Sequence, residues 1–110
     1  MNSKNISKKI LHWYDNNKRF LPWRKTVSKK QREYFTLVSE FMLQQTQVKT
    51  VIPYFTNFIK KIPNINSLAK VKNETLMKCW EGLGYYSRAR NLKKTALKIL
   101  KVWLMLKMKN

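Results

Sequence analysis

Apolar residues recur three and four positions apart along nearly the whole chain, the spacing that gathers them on one side of an α-helix. In the first segment Ile6, Ile10, Leu11 and Tyr14 share a face, Lys8 and Lys9 oppose it, and Asn16-Asn17 closes it. Leu21-Pro22-Trp23-Arg24 reads as a turn or extended element, because proline disfavours helix in the residue before it. Residues 25–32 read as a polar, mostly basic loop. A second helix is expected from Glu33 to Leu43, with Tyr34, Leu37, Val38 and Phe41 as its core stripe. Gln44-Gln45-Thr46 breaks it, and Thr46 is the expected N-cap of a third helix carrying Val48, Val51, Ile52, Phe55 and Ile59. Pro53 should kink that helix or mark an early turn, and Pro63 ends it. A short fourth helix starts at Asn66-Ser67. Asn73 is the expected cap of a fifth, whose apolar face is Leu76, Met77 and Trp80 and whose end is Gly82. Ser87 opens the last helix, with Ala89, Leu92, Ala96, Ile99 and Leu100 inside. Two-residue alternation is never sustained. The expectation is an all-α fold of about six helices, with no sheet, no internal repeat and no interdomain linker.

Composition narrows the classes of function. The chain has 110 residues, 44% of them hydrophobic, too apolar for a disordered polycation. Its 24 Lys and Arg against 5 Asp and Glu leave a formal charge of +19, which five carboxylates cannot neutralise internally. A polyanion is the expected partner, nucleic acid first and an anionic membrane surface second. A Lys-rich composition without any specific partner is the plainer reading. One Cys excludes a disulfide scaffold and any metal site built from several thiolates of this chain. Cys79, beside Trp80, reads as a small core residue, and His12 as structural. No apolar leader opens the chain, and the longest uncharged run, Thr50 to Ile59, is too short to span a bilayer. The expected location is the cytoplasm.

Three stretches carry candidate chemistry. Glu40 stands in an apolar helix near Thr36, Leu37, Leu43 and Gln44, so its carboxylate is expected to be partly desolvated, which suits general acid work. It can equally be an ordinary surface glutamate. Gln44, Gln45 and Thr46 cluster uncharged hydrogen-bonding groups at a helix junction, where they can read base edges or replace an extruded base, or simply break the helix. In Gly82-Leu83-Gly84-Tyr85-Tyr86-Ser87-Arg88-Ala89-Arg90, paired aromatics on a glycine turn can wedge between bases, and Arg88 and Arg90 can grip phosphates. The alternative is a capped helix with core tyrosines.

Together these stretches resemble the N-terminal part of the adenine DNA glycosylases, in the endonuclease III-like, helix-hairpin-helix superfamily. The resemblance rests on Trp13-Tyr14, Leu21-Pro22-Trp23-Arg24, Ser39-Glu40-Phe41-Met42-Leu43-Gln44-Gln45-Thr46-Gln47-Val48, Val51-Ile52-Pro53-Tyr54-Phe55 and Trp80 through Leu92. It runs collinearly from about Ile10 to Lys98.

The resemblance implies base-excision repair: hydrolysis of the N-glycosidic bond of adenine mispaired with 8-oxoguanine or guanine in double-stranded DNA. It makes Glu40 the acid that protonates the adenine ring. Gln45 becomes the wedge beside the oxidised guanine and Tyr85 the intercalating aromatic, with Thr46 and Leu83 lining that contact. Arg24 and Trp23 fall at the adenine pocket. The family also carries a Leu-Pro-Gly-Val-Gly hairpin, an aspartate that stabilises the sugar cation, four cysteines holding a 4Fe-4S cluster, and a domain that reads the oxidised guanine. None of these motifs occurs in the 110 residues, so the chain itself is expected to bind no cofactor and to be catalytically incomplete. The alternatives are a non-catalytic basic DNA-binding fragment, or one half of a split enzyme that a second polypeptide completes. Residues 99–110 read as a divergent tail after residues 1–98 of a helical glycosylase domain, and apolar faces should lie uncovered where the downstream helices would pack.

Overall fold

The computed structural model describes residues 21–24 and 27–109, without the side chain of Arg24. The expected first helix, with Trp13, Tyr14 and His12, lies outside the described residues. Five α-helices follow a 3-10 turn at Pro22–Arg24: α1 (Lys29–Leu43), α2 (Val48–Lys61), α3 (Ile65–Lys70), α4 (Asn73–Trp80) and α5 (Ser87–Met108). There is no strand among the described residues, as the helical periodicity requires.

Helix α1 begins at Lys29, inside the stretch expected to be a loop. Its first turn needs no apolar residue, because Ser28 caps it: the Gln31 N–H donates to the Ser28 hydroxyl at 3.2 Å. The Gln31 amide then reaches the Pro63 carbonyl at 3.0 Å, tying the start of α1 to the α2–α3 turn. Helix α3 opens with a capping box. The Asn64 side chain accepts from the Ser67 N–H, and the Ser67 hydroxyl accepts from the Asn64 N–H. Two expected caps lie elsewhere. Gln47, not Thr46, precedes α2, and Lys72, not Asn73, precedes α4; neither side chain caps. Pro53 sits on the exposed side of α2, which continues through it to Lys61.

The core is one cluster to which every helix contributes. Val38 and Met42 of α1, Val51, Phe55 and Phe58 of α2, Leu68 of α3, Leu76 and Trp80 of α4, and Leu92 and Ala96 of α5 are fully buried. Edge-to-face aromatic pairs link these elements, Trp23 to Phe55 at 5.3 Å, Phe35 to Phe55 at 5.4 Å and Phe58 to Trp80 at 6.1 Å. On α1 the buried set is Tyr34, Phe35, Val38, Ser39 and Met42, whereas Leu37 and Phe41 are half-buried at its flank. The stripe is rotated from the expected one because α1 packs against both α2 and α5. Cys79 lies in the core, where burial pushes its thiol pKa up and makes it inert.

Helix α5 runs through Lys98 and Ile99 without a break. Beyond Leu100 its periodic burial stops, and Val102, Leu104, Met105, Leu106 and Met108 are exposed. Only Trp103 of that last stretch packs back against the core.

Candidate nucleic-acid interface and acid site

Glu40 projects from α1 on the exposed side of the helix, so the expected desolvation is absent: the carboxylate is open to water. It lines an open cleft of about 510 Å³. The cleft is also lined by Arg32, Glu33, Tyr34, Thr36 and Leu37 of α1, Ile65 of α3, and Ile99 and Trp103 of α5. Tyr34 is rigid there. Its buried hydroxyl donates to the Ile62 carbonyl at 2.6 Å, and burial holds its pKa well above the usual phenol range. Trp103 was not expected at this cleft, although it falls four residues after Ile99, on the same helical face.

Trp23 does not join Glu40 at the cleft. Its ring is buried in the core against Phe55. The Arg24 side chain lies outside the described residues.

One turn beyond Glu40, α1 ends and Gln44 and Gln45 are exposed. Gln45 holds φ at 60°, in the left-handed region where a side chain is strained. Far along the chain, Tyr85 does the same with φ at 49°, and its ring is 63% exposed. An aromatic of that size left in solvent is available for stacking. Beneath it, Gly82 has φ at 93°, and a Cβ there would collide with the Tyr54 hydroxyl. The Trp80 indole N–H donates to the Gly84 carbonyl at 3.2 Å, fixing the turn from below. Leu83 is buried under the same turn.

Arg88 is corrected from its expected role. It is 7% exposed, and its guanidinium faces inward, so it does not present a charge to phosphate. The two N–H groups of Nη1 are shared among the carbonyls of Phe41, Met42 and Gln44 and the Thr46 hydroxyl, and Nη2 donates to the carbonyls of Leu83 and Gly84. Thr46, expected to cap α2, instead serves this guanidinium. Desolvation lowers the Arg88 pKa, with Tyr85 opposing, yet a guanidinium stays charged. Arg90, by contrast, is exposed. The structure therefore brings the Gln44–Thr46 and Leu83–Tyr85 loops together through one buried cation.

Residues 38–109 match the HhH-GPD superfamily base excision DNA repair protein family. The chain belongs to that family. It is 53% identical over 93 residues to an adenine DNA glycosylase of Buchnera aphidicola subsp. Baizongia pistaciae, a match covering 84% of this chain and 25% of that protein. Adenine DNA glycosylases of Rattus norvegicus and Homo sapiens are 48% and 46% identical over 95 residues, covering 83% of this chain and 18% and 17% of theirs. The HhH-GPD chain described here thus spans about a quarter, or less, of the length of these relatives.

The iron–sulfur cluster implied by the resemblance does not fit these residues. The single cysteine is buried in the core, and no three His, Cys, Asp or Glu side chains converge among the described residues. No described helix is long and apolar enough to cross a membrane.

Proposed function

We propose that this chain supplies the acid and the wedge of an adenine DNA glycosylase acting on adenine opposite 8-oxoguanine or guanine. The observation that carries the reading is Glu40, held in an open cleft on the helix that ends at the exposed Gln45. Tyr85 and Gln45 enter the duplex and occupy space left by an extruded adenine. The adenine swings into the cleft, where Glu40 delivers a proton to the ring and makes the base a leaving group. Arg90 and the surface lysines hold phosphates. Glu33 is the other carboxylate lining the cleft, but the aspartate that the resemblance assigns to the sugar cation has no counterpart in the matched motifs, so in this reading a further stretch of polypeptide, in the same chain or another, completes the reaction. The proposed place of action is the cytoplasm.

A basic DNA-binding module without chemistry is the second reading, favoured by the +19 charge. Both readings require salt-sensitive binding. Affinity for any duplex should fall steeply between low and physiological salt, because each phosphate neutralised by Lys or Arg releases counterions. Titrations at several ionic strengths check this, and a flat salt response would count against nucleic acid as the partner.

The wedge separates the two. Tyr85→Ala should weaken binding to a duplex holding adenine opposite 8-oxoguanine by about tenfold, the scale of one base–aromatic stack, and affect a fully paired duplex far less. Gln45→Ala should act in the same direction. Equal losses on both duplexes would leave only the non-catalytic module.

A further inference from the structure

Two residues with side chains hold left-handed backbone angles among the described residues, Gln45 and Tyr85. They lie 40 positions apart in the chain. Such angles persist only where the surroundings over-determine them. In both cases the carbonyl just before the strained residue, Gln44 C=O and Gly84 C=O, accepts a hydrogen bond from the same guanidinium. That placement matters geometrically. The peptide plane preceding a residue sets one end of its φ torsion, so anchoring the carbonyl of residue 44 or 84 limits the rotation of residue 45 or 85.

We infer that Arg88 is a positioning residue that holds Gln45 and Tyr85 in their left-handed conformations and sets the gap between the two loops that a DNA duplex would enter. The inference rests on the wedge reading above. Arginine suits the task because its planar fork aims two nitrogens in different directions, one at each loop. Nη1 reaches Phe41, Met42, Gln44 and Thr46, and Nη2 reaches Leu83 and Gly84. A lysine ends in a single nitrogen one bond short of that fork, so it reproduces neither set of contacts. The guanidinium also lies 5.4 Å from the centre of the Tyr85 ring and 5.7 Å from that of Trp80, so the wedge aromatic rests directly on the clamp. Nε is buried with no partner among the described residues. The side chain therefore tolerates one unmade bond to place its two terminal nitrogens.

The test uses the full chain and Arg88→Lys, with amide hydrogen exchange and duplex binding measured on both. Exchange should rise by about tenfold or more in residues 43–47 and 83–87 together, the scale of a lost charge-assisted bond, while α2 and α3 keep their protection. A rise in one loop only, or an even rise through all helices, would overturn the inference. In binding, Arg88→Lys should remove most of the preference for adenine opposite 8-oxoguanine over a fully paired duplex. In a Gln45→Ala, Tyr85→Ala background it should remove no more, because the wedges it positions are gone. The same loss in both backgrounds would assign Arg88 to general stability and overturn the clamp. A parent chain without any mispair preference would refute the wedge reading, and the exchange pattern would still decide the clamp. Should Arg88→Lys not fold, Thr46→Val removes a single acceptor and should give the two-loop exchange pattern in smaller measure; unchanged exchange there would overturn the proposal.

Discussion

Glu40→Gln is expected to stop adenine release while leaving fold and DNA affinity in place, once the chain is joined to the downstream part of a full-length relative. Glutamine has nearly the volume of glutamate and can still hydrogen-bond, and position 40 is exposed on α1, so neither packing nor capping changes. What disappears is the proton. General acid–base assistance is worth about 10²–10⁴ in rate, and adenine is a poor leaving group unless protonated, so the loss should lie at the upper end or beyond. Single-turnover release of adenine from a duplex with adenine opposite 8-oxoguanine measures it. Binding to the same duplex should stay within about twofold, since the carboxylate is not a phosphate contact. In the 110-residue chain alone the substitution should change nothing measurable, because the aspartate that the resemblance assigns to the sugar cation has no counterpart in the matched motifs, and the other carboxylate lining the described cleft, Glu33, stands on the same helix as Glu40. Enzymatic release by the unmodified chain alone, abolished by Glu40→Gln, would show that it needs no further residues.

The second large effect is on stability. Trp80→Ala should destabilise the fold by about 3–5 kcal/mol, the cost of deleting a fully buried aromatic. Trp80 has no exposed surface and meets the Phe58 ring edge-to-face at 6.1 Å. Its indole N–H also holds the Gly84 carbonyl, so the turn carrying Tyr85 loses its support at the same time. Domains of this size are stable by only about 5–15 kcal/mol, and the melting temperature should fall by roughly 15–30 °C. Thermal unfolding followed by circular dichroism checks it. Trp23→Ala should cost less, because Trp23 sits at the edge of the described core in a short 3-10 turn. Equal losses at the two positions would show that the α4 end of the core is no more demanding than the edge.

The all-α class and four of the helix positions could be read from periodicity, since burial on one face of a helix leaves a repeat of three and four that no strand produces. Gly82 as a helix stop and Cys79 as a core residue followed from local chemistry as well, and both stand in the fold where that chemistry put them. The motif around Glu40, Gln45 and Tyr85 pointed to a repair family, to which residues 38–109 belong. The rest depended on contacts between distant segments. Residues 25–32 read as a loop because a first helical turn can be wholly polar; Ser28 and the Pro63 carbonyl decide otherwise. Thr46 has the chemistry of an N-cap, but Arg88, 42 residues later, takes its hydroxyl. Arg88 itself read as a phosphate ligand, because a sequence records the charge of a side chain and not its direction. Trp23, next to a pocket motif, turned inward for the same reason, its ring finding Phe55. Local spacing determines which face of a helix is apolar. Only the packing of α1 and α4 against α5 determined that a buried guanidinium, rather than the solvent, would meet the two loops that carry Gln45 and Tyr85.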